Sequence, residues 1–413
     1  MKKNILILGS GFGGVYTLKH LNKLFPKKDR VNISMISDKN YFFFTPLLHE
    51  VAAGSINPSN ITEPVREIME RHLNDFYLGK VSFINLAEKF VTVNKKNIPY
   101  DFLIIAMGAT TNFFNTPGAS EYALTLKSIE DAVRIKDHCI AQVDKSVHIR
   151  DSSERKKMLK FVLVGGGPTG VELAAELSEL LTGTLSHYYP KEIINDISIM
   201  LIQRGAEIVP QFGSKIRMKS LEILQKKNIE VMLNSAVKEI KKTSIIINEG
   251  TSVDTETVIW AAGAKPVDVM FDQVINKTPD GRLIVNEYVQ LPGFKEVFVV
   301  GDMSAFTDKG GNTLLPALAQ VAQKESGIVA KNIKSLMENK PLQEFKYKNS
   351  GNLLSLGQWM AAGEIDGITF YGKMAWWFWR TVYLSKLLSF RKKVRVAMDW
   401  TINIFYPRDI SQS

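Results

Sequence analysis

Residues 4–21 read "NILILGSGFGGVYTLKHL", and residues 160–177 read "KFVLVGGGPTGVELAAEL". Each stretch opens with four or five apolar β-formers, turns on glycines at the first, third and sixth positions, and continues with apolar residues at helical spacing. The glycines are Gly9, Gly11 and Gly14 in the first stretch and Gly165, Gly167 and Gly170 in the second. Three separate demands explain them. The first glycine makes the tight turn, the second lets backbone N–H groups approach a pyrophosphate, and the third lets helix and strand pack closely. The helix that follows presents its partly positive N-terminus to the same anion.

One such turn can be purely structural, so the reading rests on a second pair of segments at the same offset. "DFLIIAMGA" (101–109) and "ETVIWAAGA" (256–264) are both strand-like runs ending in small residues. From Gly9 to Gly108 is 99 residues, and from Gly165 to Gly263 is 98. The agreement predicts two homologous nucleotide-binding domains. A further apolar strand, "EVFVVGDMSAF" (296–306), ends in Gly301-Asp302, which places a carboxylate where open α/β sheets bind their ligands.

The remaining composition narrows the chemistry. With 413 residues and 45% hydrophobic content the chain can bury the cores of two or three domains. Cys139 is the only cysteine, which excludes intramolecular disulfides, Cys-x-x-Cys redox pairs and cysteine-rich metal sites. Redox chemistry would therefore come from a bound cofactor, and no metal is called for. Met1-Lys2-Lys3 runs straight into "NILIL", leaving no room for the apolar region of a signal peptide, so the expected location is the cytosol or the cytoplasmic side of a membrane. No charge-free run of about 20 apolar residues suggests a spanning helix.

Taken together, the two fingerprints, "AMG", "WAAG" and "FVVGD" resemble the flavoproteins with two dinucleotide-binding domains. Finer motifs point to one branch. "NYFFFTPLLHEVAAGSI" (40–56), "GGGPTGVELAAELSEL" (165–180), "PALAQVAQKES" (316–326) and the tail "GKMAWWFWRTVYLSKLLSFRKKVRVAMDW" (372–400) resemble the type II NADH:quinone oxidoreductases, single-chain dehydrogenases that pump no protons. The resemblance implies an α/β fold: two Rossmann-like dinucleotide-binding domains, the second inserted in the first, plus a C-terminal amphipathic helical membrane-docking region. The expected FAD-binding domain is 1–112 with 291–345, the NAD(P)H-binding domain 113–290, and the membrane-associated region 346–413. The implied activity is FAD-dependent electron transfer from NADH, with NADPH as a second donor, to a membrane quinone. Two alternatives stand beside it, a soluble NAD(P)H flavoprotein oxidoreductase and a redox sensor, with a protein or oxygen as acceptor.

By this likeness FAD is held by Gly9, Gly11, Gly13, Gly14, Pro46, Ala106, Gly108, Asp302 and Ala319. The nicotinamide dinucleotide is held by Gly165, Gly167, Thr169, Gly170 and Gly263. Glu172 is implied near the nicotinamide and flavin as a positioning or proton-handling group, with Glu176 one turn later. Gln320 is implied near the flavin and the quinone head group. The family's second glutamine is replaced by Lys324, which either stabilises an anionic reduced flavin or quinol or points to solvent. Tyr383 stands where relatives often carry His.

Two ribose sites can be read from position. The strand "NISMIS" (32–37) ends at Ser37, with Asp38 next and 23 residues beyond Gly14 at 37, so Ser37 or Asp38 is placed for the FAD ribose. In the second cassette the strand Ile197 through Ile202 ends not in an acid but in Gln203-Arg204. Gln203 can bond a 2′-hydroxyl without repelling a 2′-phosphate, and Arg204 can pair with one, which predicts relaxed donor selectivity. Glu207 restores an acid only if the loop folds back.

The tail has its own signal. At 100° per residue, Trp376, Trp379, Tyr383, Leu387 and Phe390 fall within an arc of about 80°, with Thr381, Ser385 and Ser389 opposite. From 372 to 413 there are eight Lys or Arg against two Asp, a net +6 of the chain's +10. This predicts an amphipathic helix over 372–395 lying on an anionic lipid surface, with a core helix or a homodimer interface as alternatives. The expected protein is a homodimer on the cytoplasmic face of the plasma membrane or on an organelle inner membrane. Nucleic acid is not an expected partner, because no aromatic-basic RNA-binding signature accompanies the basic tail.

Overall fold

The two cassettes build two parallel sheets that share the order of four strands and differ in where the chain supplies the fifth. A computed structural model describes residues 2–26, 30–69, 75–248, 250–307 and 314–412. The chain divides into two units, the first from residues 1–43, 62–110 and 264–349, the second from 44–61, 111–263 and 350–413.

In the first unit the strand order is Val297–Val299, Phe102–Ile105, Lys3–Leu8, Val31–Ser37, Asp75–Leu78. In the second it is Ala123–Thr125, Thr257–Trp260, Lys160–Val164, Ser198–Ile202, Ile229–Met232. The strand pairings within these sheets are parallel. Parallel strands need helical crossovers on both faces, and the central strands are accordingly apolar after their first one or two residues. Ile5 to Leu8 and Phe161 to Val164 are buried on both sides of the sheet. Each such side chain contributes about 1.5–3 kcal/mol by burial, and together they fix the register of the sheet.

Several expected boundaries move. The strand placed at 197–202 begins at Ser198, because Ile197 caps the preceding helix Lys191–Asp196. Residues 264–290, expected in the second domain, pack in the first unit, where Met270–Phe271 pairs with Val81–Asn85. Residues 44–61, expected in the first domain, belong to the second unit. Their helix Leu48–Ala52 packs on the helices Ile129–Ser146 and Pro168–Ser178. The region expected as separate from residue 346 onward is part of that same second unit from residue 350. It forms an antiparallel sheet, Asn352–Ser355, Ala361–Ile365 and Ile368–Gly372, followed by two helices.

The tail departs most from its expected form. In place of one helix to residue 395 there are two, Lys373–Lys386 and Phe390–Phe405. Leu387 is extended, and Ser389 starts the second helix by accepting the Lys392 N–H at 3.3 Å. Most of the predicted apolar arc turns inward. Trp376, Trp379 and Leu387 are buried, and the Tyr383 ring stacks on Trp379 with centroids 4.6 Å apart. Phe390 alone of that arc is strongly exposed, at 80%. An apolar arc records that a face is covered, not by what, and here strand Ala361–Ile365 covers the first helix.

Candidate functional site

The first cradle lies at the carboxyl ends of the first unit's strands. Gly9 has φ +98°, and a Cβ there would lie 2.3 Å from the Ala106 carbonyl oxygen. A Cβ on Gly14 would lie 1.9 Å from the Gly9 carbonyl oxygen. Both glycines are therefore demanded by the turn itself. Gly11 is different, since nothing lies within 4 Å of its would-be Cβ. It is the N-cap of helix Phe12–Leu24, which has neither a side-chain cap nor an acid in its first turn. That leaves backbone N–H groups and the positive end of the helix dipole for an anion, as a pyrophosphate requires. Gly13 faces the Val300 and Ala106 side chains, so its small size serves helix-on-sheet packing.

Around this turn, Ser37 is buried with its hydroxyl 2.8 Å from that of Ser10, whereas Asp38 is exposed just past the strand. Gly108 has φ +74°, and Gly301 and Asp302 form a short 3-10 turn after Val297–Val299. Ala319 opens the helix Ala319–Met337. On that helix Gln320 donates to Asn349 at 3.2 Å. Lys324 sits over the Tyr347 ring at 5.1 Å, with its ammonium held by the Lys348 carbonyl. Sequence reasoning missed Glu325, which is buried and accepts the Gly301 N–H at 2.6 Å. Burial pushes its carboxyl up to about 8, partly offset by that hydrogen bond. The signal was present, because Glu325 occupies the apolar stripe of Val321, Ala322, Val329 and Ile333.

The second cradle repeats the first. Gly165 has φ +115° and would place a Cβ 2.8 Å from the Ala262 nitrogen, and a Cβ on Gly170 would lie 1.9 Å from the Gly165 oxygen. Gly167 again has nothing within 4 Å and N-caps the uncapped helix Pro168–Ser178, with Thr169 exposed in its first turn. Gly263, at φ +70°, packs against Phe114 and the Asn112 carbonyl. At the end of Ser198–Ile202, Gln203 accepts the Gly166 N–H at 2.9 Å and donates to the Glu207 carbonyl at 3.1 Å. The Glu207 carboxylate pairs with Arg217 at 2.8 Å. Arg204 is exposed over the Phe114 ring, 5.9 Å from its centre.

Both cradles fit a dinucleotide: the strained glycines are backed by protein, and the open ones face a helix N-terminus that no side chain caps.

A third group of residues in the second unit brings several titratable side chains together in the interior. Glu172, on helix Pro168–Ser178, accepts the Ser355 N–H at 3.0 Å and lies 3.6 Å from His49 Nδ1. Burial pushes its carboxyl up to about 8, the Ser355 bond works against this, and Glu50 and Glu176 add to it. Burial likewise lowers His49 to about 3, helped by Arg408, so the imidazole is neutral. Glu50 accepts the Trp400 indole N–H at 2.5 Å, and Glu176 pairs with Arg408 at 2.8 Å. Arg380 lies over the Trp376 ring at 3.5 Å.

Comparison with known proteins adds family membership to this geometry. A model of the pyridine nucleotide-disulphide oxidoreductases matches residues 3–326, and one of the NDH2 C-terminal domain matches residues 349–409. The chain belongs to the type II NADH:quinone oxidoreductases. A probable NADH dehydrogenase of Dictyostelium discoideum is 31% identical, covering 99% of this chain and 91% of that protein. The Type II NADH:quinone oxidoreductase Ndh of Mycobacterium tuberculosis is 29% identical over 98% of this chain and 89% of its own length. The structure of NDH2 from Plasmodium falciparum in complex with NADH is similar over all of both chains, with a TM-score of 0.91 and 25% identity.

Within this type II NADH:quinone oxidoreductase, Cys139 is buried and its thiol is pushed up to about 12 by desolvation. Neither a dithiol nor a reactive thiolate is available, so the disulphide chemistry of the wider superfamily has no counterpart. Glu50 and Arg408 escaped sequence analysis because their partners are distant along the chain, 350 residues away for Glu50 and Trp400.

Proposed function

We propose that the protein binds FAD in its first unit and NADH in its second, and transfers electrons from NADH to a membrane quinone without pumping protons. The observation that carries this reading is the repeated cradle, with an uncapped helix and an open glycine in each unit. Bound FAD supplies the two-electron chemistry that no side chain of this chain provides. The protein's own part is to hold the dinucleotides and to manage protons. NADH + H⁺ + quinone → NAD⁺ + quinol consumes one proton from outside, and Glu172 is the group assigned to hold it. Asp302 and the Ala319–Met337 helix with Gln320 complete the first cradle, and Pro46 shapes a loop that begins the short turn Thr45–Leu47.

Donor choice follows from Gln203. With its amide committed to Gly166 and Glu207, and the Glu207 carboxylate committed to Arg217, no free acid stands at the strand end to repel a 2′-phosphate. Gln203→Glu should raise the kcat/KM preference for NADH over NADPH by roughly tenfold, about 1.4 kcal/mol. Absolute NADH efficiency should fall somewhat, since a carboxylate would face the Glu207 carbonyl. An unchanged preference in steady-state kinetics with the two donors would remove Gln203 from the ribose site.

Membrane docking is assigned to a different face from the one the sequence suggested. No helix among the described residues is long and apolar enough to cross a membrane. On the second tail helix Phe390, Val394, Met398, Ile402 and Phe405 are exposed at i, i+4 and i+3 spacing. Met374, Trp377 and Phe378 are the exposed apolar residues of the first. Arg380 and Arg408 are buried, which leaves six of the eight tail cations for anionic headgroups. This exposed stripe supports a peripheral protein, and the reading carried forward is the cytoplasmic face of the plasma membrane or an organelle inner membrane.

One experiment tests function and docking together. The protein is reduced anaerobically with NADH, and a short-chain quinone is then added with or without anionic vesicles. Rapid bleaching, reoxidation by quinone and stimulation by vesicles are expected. A double Met398→Glu, Phe405→Glu variant should lose vesicle binding by sedimentation. Bleaching without quinone reoxidation would favour the soluble oxidoreductase or sensor. A variant that kept vesicle binding but changed oligomeric state would reassign the stripe to a homodimer interface.

A further inference from the structure

We propose that Glu50 is a positioning residue for proton delivery by Glu172: the two carboxyls hold one exchangeable proton in common, and tail residues Trp400, Arg380 and Arg408 set which of them keeps it. This rests on the quinone-reducing reading above.

Every element packed on Glu50 contributes a group. Its own helix, Leu48–Ala52, supplies His49, and helix Pro168–Ser178 supplies Glu172 and Glu176. The first tail helix supplies Arg380 and Tyr383, the second supplies Trp400, and Arg408 follows it. On helix Ile129–Ser146 the charge of Lys136 is taken up elsewhere: its ammonium donates to the Ser411 carbonyl at 2.7 Å and pairs with Asp137 at 3.8 Å, so it does not enter the balance around Glu50. Glu50 itself is 3% exposed, with Trp400 at 2.5 Å and the Ser55 hydroxyl at 3.4 Å.

The charges in this interior decide the proton count. Glu176 and Arg408 cancel as a buried pair, donor and acceptor 2.8 Å apart. Arg380 then leaves one positive charge, which one carboxylate can balance. If Glu50 and Glu172 were both ionised the cluster would be negative, and if both were protonated it would be positive. Neutrality in a poorly solvated interior therefore requires one proton for the two carboxyls. Burial, and then the neighbouring Glu176, raise Glu50, while Arg380, the Trp400 bond and Arg408 oppose this, so Glu50 titrates in the same neutral region as Glu172.

A neutral imidazole fits this charge balance. His49 presents Nδ1 to Glu172 at 3.6 Å, while its buried Nε2 has no hydrogen-bond partner among the described residues. Being uncharged, it adds nothing to the charge balance and leaves Glu172 facing a neutral ring. When Glu172 gives its proton to the reaction, one proton taken up from bulk water restores the single proton of the Glu50–Glu172 pair, so no second negative charge remains buried.

The test compares Glu50→Gln, Glu50→Asp and Trp400→Phe in the flavin-loaded protein. Gln keeps an acceptor for the Trp400 N–H but cannot titrate, and it removes the negative charge that raises Glu172. The alkaline limb of quinone reduction should move about one pH unit toward acid, roughly a tenfold loss at the wild-type limb. Turnover with ferricyanide, which takes electrons without protons, should lose less, so the quinone-to-ferricyanide ratio falls. Glu50→Asp should restore the limb, and Trp400→Phe, lacking the donor that favours ionised Glu50, should move it toward alkali. Infrared titration of the protonated-carboxyl C=O band should lose one group in Glu50→Gln, with the remaining group shifted to lower pH.

An unmoved limb and band in Glu50→Gln, or an equal loss with both acceptors, would overturn the proposal. The infrared titration requires no turnover. A wild type that reduced no quinone would remove the functional reading, and the shared proton would still stand or fall on the band.

Discussion

Gly14→Ala should purify without flavin, whereas Gly170→Ala should stay yellow but fail to bleach with NADH. In each case the added Cβ would sit 1.9 Å from a backbone oxygen, of Gly9 in one turn and Gly165 in the other. Backbone cannot swing aside as a side chain does, so the turn must open and the helix N-terminus lose its aim. FAD content should fall close to zero in the first variant. In the second, flavin reduction by NADH should slow by more than about a hundredfold, roughly 3 kcal/mol of lost stabilisation. Flavin absorbance and stopped-flow bleaching measure the two effects. Gly11→Ala and Gly167→Ala are the controls, since nothing of the protein lies within 4 Å of either added methyl. They should keep the fold and weaken only ligand binding. Full flavin in Gly14→Ala would show that the first turn does not hold the cofactor.

Arg408→Met should cost about 3–5 kcal/mol of stability, the expected penalty for stripping one partner from a buried ion pair. Arg408 is 8% exposed and pairs with Glu176 at 2.8 Å. It also donates to the carbonyls of Ala53 and Glu176, each at 3.2 Å. Its removal leaves a carboxylate and two carbonyls buried without that donor. Adding Glu176→Gln should recover part of the loss, because the uncompensated charge is then gone. Urea unfolding of the two single variants and the double variant gives the coupling. Additive losses would mean that Arg408 contributes through packing and the carbonyls alone.

The fold was largely legible because its decisive features are local. A glycine turn between a strand and a helix is written within a dozen residues, and the 99- and 98-residue offsets declared the duplication before any contact was known. The two sheets repeat that order in four of their five strands. Domain limits were less legible. Where the chain crosses from one unit to the other depends on which core receives a segment, and residues 44–61 and 264–290 carry no composition that says so. The tail shows the same limit. Its aromatic arc was real, but periodicity gives the existence of a covered face and not its occupant, so Trp376 and Trp379 became core.

The same division runs through the candidate site. By itself the sequence determined the two cradles, the single cysteine and the missing acid at Gln203, each readable from residue type and short-range spacing. Tertiary structure decided what surrounds Glu172. Glu50, Glu176, Arg380, Trp400 and Arg408 meet only when the segment 44–61 and the last forty residues fold onto helix Pro168–Ser178. Whether a carboxyl keeps its proton is set by burial and by charges brought from distant parts of the chain. Neither is encoded in any local stretch.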